Sequence, residues 1–150
     1  MKHRVFGKKL NRDIKERKAL FRNLINSLII YGRIKTTLAK AKAIRSLIEK
    51  LVTKAKDGSR SQVNQIASFL TRKEPVKKLV NEIAPRFKDK IGGYIRMVRI
   101  GKRQGDNAEV VMMEWTAPPA PQTPLKPASA KSTDKKNAEK PKKVKTEKKK

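Results

Sequence analysis

The 150 residues predict an α+β fold, ordered helix, strand, three helices, two strands, with a basic N-terminal arm and a disordered C-terminal tail. Three observations carry this reading. Apolar residues recur at helical spacing in four segments between 13 and 84. Three runs, RIKTT at 33–37, YIRMVRI at 94–100 and AEVVMMEW at 108–115, are rich in β-branched and apolar residues and bounded by glycines or turn residues. From Ala117 the periodicity stops, and proline and lysine take over.

Residues 1–12, MKHRVFGKKLNR, carry Lys2, Arg4, Lys8, Lys9 and Arg12 and no acid. Val5, Phe6 and Leu10 are too sparse to form a periodic face, so the segment reads as an extended arm that a partner orders. The plain alternative is a solvated tail. The first helix is predicted over 13–31. Asp13 is placed to cap it, Glu16 three residues on completes a capping box, and Gly32 suits the left-handed residue after its end. Ile14, Phe21, Leu24, Ile25 and Leu28 share one face. Arg17 lies in the middle of that face, and a core does not accept a lone charge. The first two turns are therefore expected to project beyond the core, presenting Arg17, Lys18 and Arg22.

Arg33–Thr37 is read as a strand, with Thr37 capping a second helix over 38–56. Ala41, Ile44, Ile48, Leu51, Val52 and Ala55 form that helix's buried face, with Lys42, Arg45, Glu49 and Lys56 opposite. A third helix is predicted over 60–71, capped by Ser59 or Ser61, with Val63, Ile66, Ala67 and Leu70 inward. A fourth is predicted over 75–84, with Pro75 at its first position and Pro85 ending it. Gly92-Gly93 then breaks the pattern. The two remaining strands, joined by Gly101–Asn107, form an antiparallel hairpin. Neither face of its first strand is wholly apolar, so one side is expected to cover helices and the other to face solvent or RNA. Trp115 is expected at the core edge. Residues 1–116 form one domain, and 117–150 a tail without means to offset its ordering entropy.

The net charge is +27, with 40 Lys and Arg against 13 Asp and Glu. The tail holds eleven lysines and three acids, leaving +19 for residues 1–116. Such charge opposes compaction unless a polyanion neutralises it, and nucleic acid is the usual one. No apolar run reaches the roughly 18 residues of a membrane span. No signal-type segment follows the N-terminal cations, so a cytoplasmic protein is expected. With no cysteine there are no disulfides or thiol-ligated metals.

Catalytic chemistry is not indicated. His3, the single histidine, has no evident partner. Glu109 and Glu114 have opposite strand parity and cannot face one cleft on a regular strand. Gly101–Gly105 lacks the Gly-Lys-Ser/Thr of a nucleotide loop. No cofactor, metal or small-molecule substrate is expected. Aromatics are few, with Phe6 and Tyr94 the possible base stackers and Phe21 buried, so phosphate contact and shape should outweigh base readout. The predicted contacts are Lys2, His3, Arg4, Lys8, Lys9 and Arg12 in the arm, and Arg17, Lys18 and Arg22 in the first helix. Lys35, Lys40 and Lys42 follow, then Arg96, Arg99, Lys102 and Arg103 on the hairpin.

The motifs LNR at 10–12, RKALFRN at 17–23, IKTTLAKAKAIR at 34–45, APRF at 84–87, GGYIR at 92–96 and GDNAEV at 105–110 are collinear with a known pattern. Over residues 1 to about 116 the chain resembles the bacterial large-subunit ribosomal protein L-seventeen family. The resemblance implies a two-layer fold with the first strand in one sheet with the hairpin. It also implies binding to large-subunit ribosomal RNA near the exit of the peptide tunnel, neighbouring ribosomal proteins as further partners, and no catalysis. Family members often carry a basic residue or histidine where this chain has Glu16, which is not counted among the contacts. Many end near residue 116. Two competing functions are a nucleoid-type, DNA-compacting protein, suggested by the lysine-rich tail, and an RNA-modifying enzyme.

Overall fold

The computed structural model describes residues 8–117. The expectations for Lys2, His3, Arg4, Phe6 and the tail from 118 onward lie outside them. The first helix, α1 (Ile14–Tyr31), ends where predicted, at Gly32 with φ 77°, whose amide donates to the Leu28 carbonyl. Asp13 occupies the N-cap position, but its side chain accepts no capping hydrogen bond, so the expected capping box is not formed. Ile25, Leu28 and Ile29 are buried, Phe21 and Leu24 pack partly against the core, and Ile14 is 77% exposed. The helix therefore enters the core only from its third turn. Its opening turns stand off, as the charge on Arg17 required.

Strand β1 (Arg33–Thr37) leads into α2 (Leu38–Asp57), whose six buried residues are those the sequence placed inward. Their spacing of three and four keeps them on one stripe, which forms the centre of the core. Thr37 sits at the N-cap without a side-chain capping bond. Helix α3 (Arg60–Leu70) is capped by Ser59, whose Oγ accepts from the Gln62 amide at 3.4 Å. Ile66 and Leu70 are buried, but Ala67, expected inward, is exposed.

The fourth helix departs most from expectation. Helix α4 (Lys73–Lys78) begins two residues before Pro75. It then widens into a π-helical turn, Leu79–Ile83, and tightens into a 3₁₀ turn, Ala84–Phe87. The Ala84 amide reaches back five residues to the Leu79 carbonyl. A proline removes a helical hydrogen bond and its ring collides with the carbonyl four residues before it. The wide turn shifts the chain ahead of Pro85, so the helix changes pitch there instead of stopping. The change of pitch delivers Phe87 to the core, fully buried.

Strands β2 (Ile95–Lys102) and β3 (Glu109–Trp115) form the expected antiparallel hairpin. Strand β1 pairs antiparallel on the other side of β3, giving the order β1-β3-β2. Val111, Met113, Trp115 and Ile95 face inward and join the α2 stripe in one cluster. The first strand of the hairpin ends two residues later than predicted because a β-bulge between Arg99 and Gly101 carries pairing on to Lys102. Tyr94, proposed from sequence as a base stacker, is 1% exposed. Its ring meets Phe87 edge-on at 5.2 Å, and its hydroxyl donates to the Ile91 carbonyl at 3.0 Å. It is a core residue that precedes the strand and so escapes the strand's alternation.

Candidate nucleic-acid interface

Sixteen residues were expected to contact nucleic acid, and thirteen of them lie within the described residues. The first group surrounds the start of α1. Leu10 and Asn11 both adopt left-handed backbone, φ 53° and 51°. Such a pair is costly for leucine and is kept only where surrounding bonds impose it. Those bonds come from arginines. The Arg12 amide donates to the Lys9 carbonyl at 3.2 Å and its Nη1 donates to the Leu10 carbonyl at 3.2 Å. Arg17 Nη1 donates to the Arg12 carbonyl at 3.2 Å and lies 3.4 Å from the Lys9 carbonyl. The described end of the arm is thus a turn, not extended chain. Lys8, Lys9 and Lys18 stand exposed around it.

Arg22 points the other way. Its Nε donates to the Phe69 carbonyl at 2.7 Å, and Asn26 Nδ2 lies 3.5 Å from the Leu70 carbonyl. These are carbonyls at the C-terminus of α3, where the helix dipole favours a cation. The same device recurs where Lys78 Nζ donates to the Ile30 carbonyl of α1 at 2.8 Å. Arg22 therefore ties α1 to α3. Sequence reasoning placed it among free cations because its partner lies 47 residues away.

The second group lies at one end of the sheet. The start of α2 and the far ends of β1 and β2 enclose a groove of about 440 Å³. It is lined by Lys35, Thr36, Thr37, Lys40, Ile100, Gly101, Lys102, Arg103 and Val110. No carboxylate is among them. The first turn of α2 holds no acid, and no side chain caps it, so its partial positive charge reinforces the rim. Lys35, Lys40, Lys102 and Arg103, read from separate stretches of sequence, are brought together here. The apolar floor, Ile100 and Val110, was not anticipated. The glycine after Ile100 was the available signal, since an isolated glycine in a strand often marks a bulge.

The remaining cations are dispersed. Lys42 is exposed on the solvent face of α2. Arg99 is exposed at the bulge. Arg96 pairs with Glu114 across the strands at 2.6 Å. Arg103 pairs with Asp106 in the hairpin loop, its Nε donating at 3.0 Å. That guanidinium, with the Ala108 amide, lowers the Asp106 carboxyl to about 2 from an ordinary 3.8. Both arginines are thus partly neutralised by neighbours. Among the described residues, no group of three or more His, Cys, Asp or Glu side chains could hold a metal, and no helix is long and apolar enough to cross a membrane.

Comparison with known proteins identifies the family. The family model described as ribosomal protein L17 matches residues 20–116. The chain belongs to the ribosomal protein L17 family. It is 49% identical over 114 residues to the large ribosomal subunit protein bL17 of Koribacter versatilis, covering 76% of this chain and 71% of that one. It is 43% identical over 122 residues to the bL17 of Trichlorobacter lovleyi, covering 81% and 98%. The bL17 of Clostridium acetobutylicum is 44% identical over 107 residues, covering 71% and 94%. The L17 family is a structural, non-enzymatic component of the large ribosomal subunit in the cytoplasm, and this excludes the RNA-modifying enzyme. The family match stops at 116, next to the change to proline and lysine.

Proposed function

We propose that this chain binds large-subunit ribosomal RNA through two sets of lysines and arginines, one around the start of α1 and one at the end of the sheet. By the family resemblance, its place is near the exit of the peptide tunnel, beside neighbouring ribosomal proteins. The observation that supports it best is the groove rim, where cations from three elements meet with no lining carboxylate. Such a surface suits phosphates, and it lacks the exposed aromatics that base readout uses.

Titration of binding to large-subunit ribosomal RNA against salt tests this. Eight neutralised phosphates give a log–log slope of about −6 to −7. A slope near −2 would contradict the many-contact reading. Duplex DNA of equal length, competing at fixed salt, separates the RNA reading from DNA compaction. RNA should win, and residues 1–116 should suffice.

A further inference from the structure

We propose that the groove at the sheet's end holds a single nucleotide swung out of an RNA helix. Its phosphate lies on Lys35 and Lys40, and its ribose and base lie on Ile100 and Val110. The inference rests on the RNA-binding reading above and goes further by assigning the groove's occupant.

The register builds the floor. Val110 pairs with Thr37 on one side and Gly101 on the other. The bulge leaves Ile100 out of that ladder, 47% exposed at the groove wall. A bare phosphate rail would need only the lysines. An aliphatic floor within a cationic rim offers something to each half of a nucleotide: apolar contact for the sugar and base, charge for the phosphate. The space beside the bulge is open, since a Cβ built at Gly101 would meet nothing within 4 Å. The volume of about 440 Å³ falls in the roughly 300–1,000 Å³ range of small-ligand sites. RNA supplies such occupants, because its specific recognition uses bases splayed out of the stack. An apolar protein side chain would fit the floor equally well. The rim decides against it, because its lysines face a polyanion better than a neutral segment.

The test uses the full chain and large-subunit ribosomal RNA. With Ile100 replaced by photoreactive benzoylphenylalanine, irradiation should join the protein to one nucleotide or its immediate neighbour. Ile100→Ala should weaken binding roughly three- to ten-fold, by loss of apolar contact, and leave the salt slope unchanged. The double variant Lys35→Ala/Lys40→Ala should flatten the slope by about 1.4 to 1.8. Cross-linking to a ribosomal protein on assembled subunits, or to no nucleotide while the unmodified chain still binds, would overturn the assignment. So would an Ile100→Ala variant that binds as tightly as the parent. If the unmodified chain shows no steep salt dependence, the RNA-binding reading falls first, and the same titration shows it.

Discussion

At the start of α1, arginines fold a turn shut, and lysines stand on its outside. At the sheet's end, lysines stand on strands and on a helix whose positions the core already fixes. Among the expected contacts the labour divides by residue type, with Arg99, exposed at the bulge, the exception. Arg12, Arg17, Arg22, Arg96 and Arg103 each donate to a carbonyl or carboxylate of the chain itself. Lys8, Lys9, Lys18, Lys35, Lys40, Lys42 and Lys102 have no side-chain hydrogen bond among the described residues. The guanidinium is planar and weakly hydrated, with its donors already arranged, so it satisfies carbonyls at small entropic cost. The ammonium is compact and well hydrated, and stays in water until a phosphate displaces the water. A high count of Lys and Arg thus contains two populations, one that shapes the surface and one that the surface displays.

Removing the displayed lysines of the two regions should have the largest effect. Alanine at Lys8, Lys9, Lys18, Lys35, Lys40 and Lys102 together should flatten the salt slope for RNA by about 4 to 5, with the melting temperature nearly unchanged. A large fall in melting temperature would show that these lysines belong to the fold. Arg22→Ala should do the reverse. It leaves the Phe69 carbonyl without its 2.7 Å partner, costing about 1–3 kcal/mol in chemical denaturation, while the salt slope stays within one unit. A slope that falls with unchanged stability would place Arg22 on the RNA instead.

The smallest effects come from a carboxylate in each region. Asp13 makes no capping bond, so Asp13→Ala should cost less than about 0.5 kcal/mol, below the usual ~1 kcal/mol for a cap. Asp106 is bonded, and its folded pKa lies below its unfolded one. Its contribution is therefore complete above about pH 4 and lost as the pH falls through about 2. Carboxyl titration by NMR should give a midpoint near 2, with amide protection of Ala108 declining in the same window. A midpoint near 4 would mean that the Arg103 pair does not hold the loop in solution.

Much of this could be read from the residues. The α2 stripe was legible in full because six apolar positions at spacings of three and four admit one helical phase. Strand β1 was legible because Gly32 and a new helical pattern bound five β-favouring residues. The π-helical turn was not, because Pro85 announces only that the regular ladder fails, not how the chain passes it. Tyr94 was not legible as core because the sequence places it inside the strand, in phase with the exposed Arg96, whereas the strand begins at Ile95 and the burial of Tyr94 depends on Phe87 arriving from elsewhere.

Local patterning was enough for the order of elements, the inward face of α2, and a surplus of positive charge too large to leave unpartnered. These follow from local periodicity and from charge, which act over one or two turns. Which face of the hairpin turns inward emerged from the packing. Which cations are free depends on how the elements pack. Whether an arginine meets a carbonyl 47 residues away, or three lysines converge on one groove over an isoleucine, depends on how helices and strands pack against one another. The chain's local rules leave that packing open.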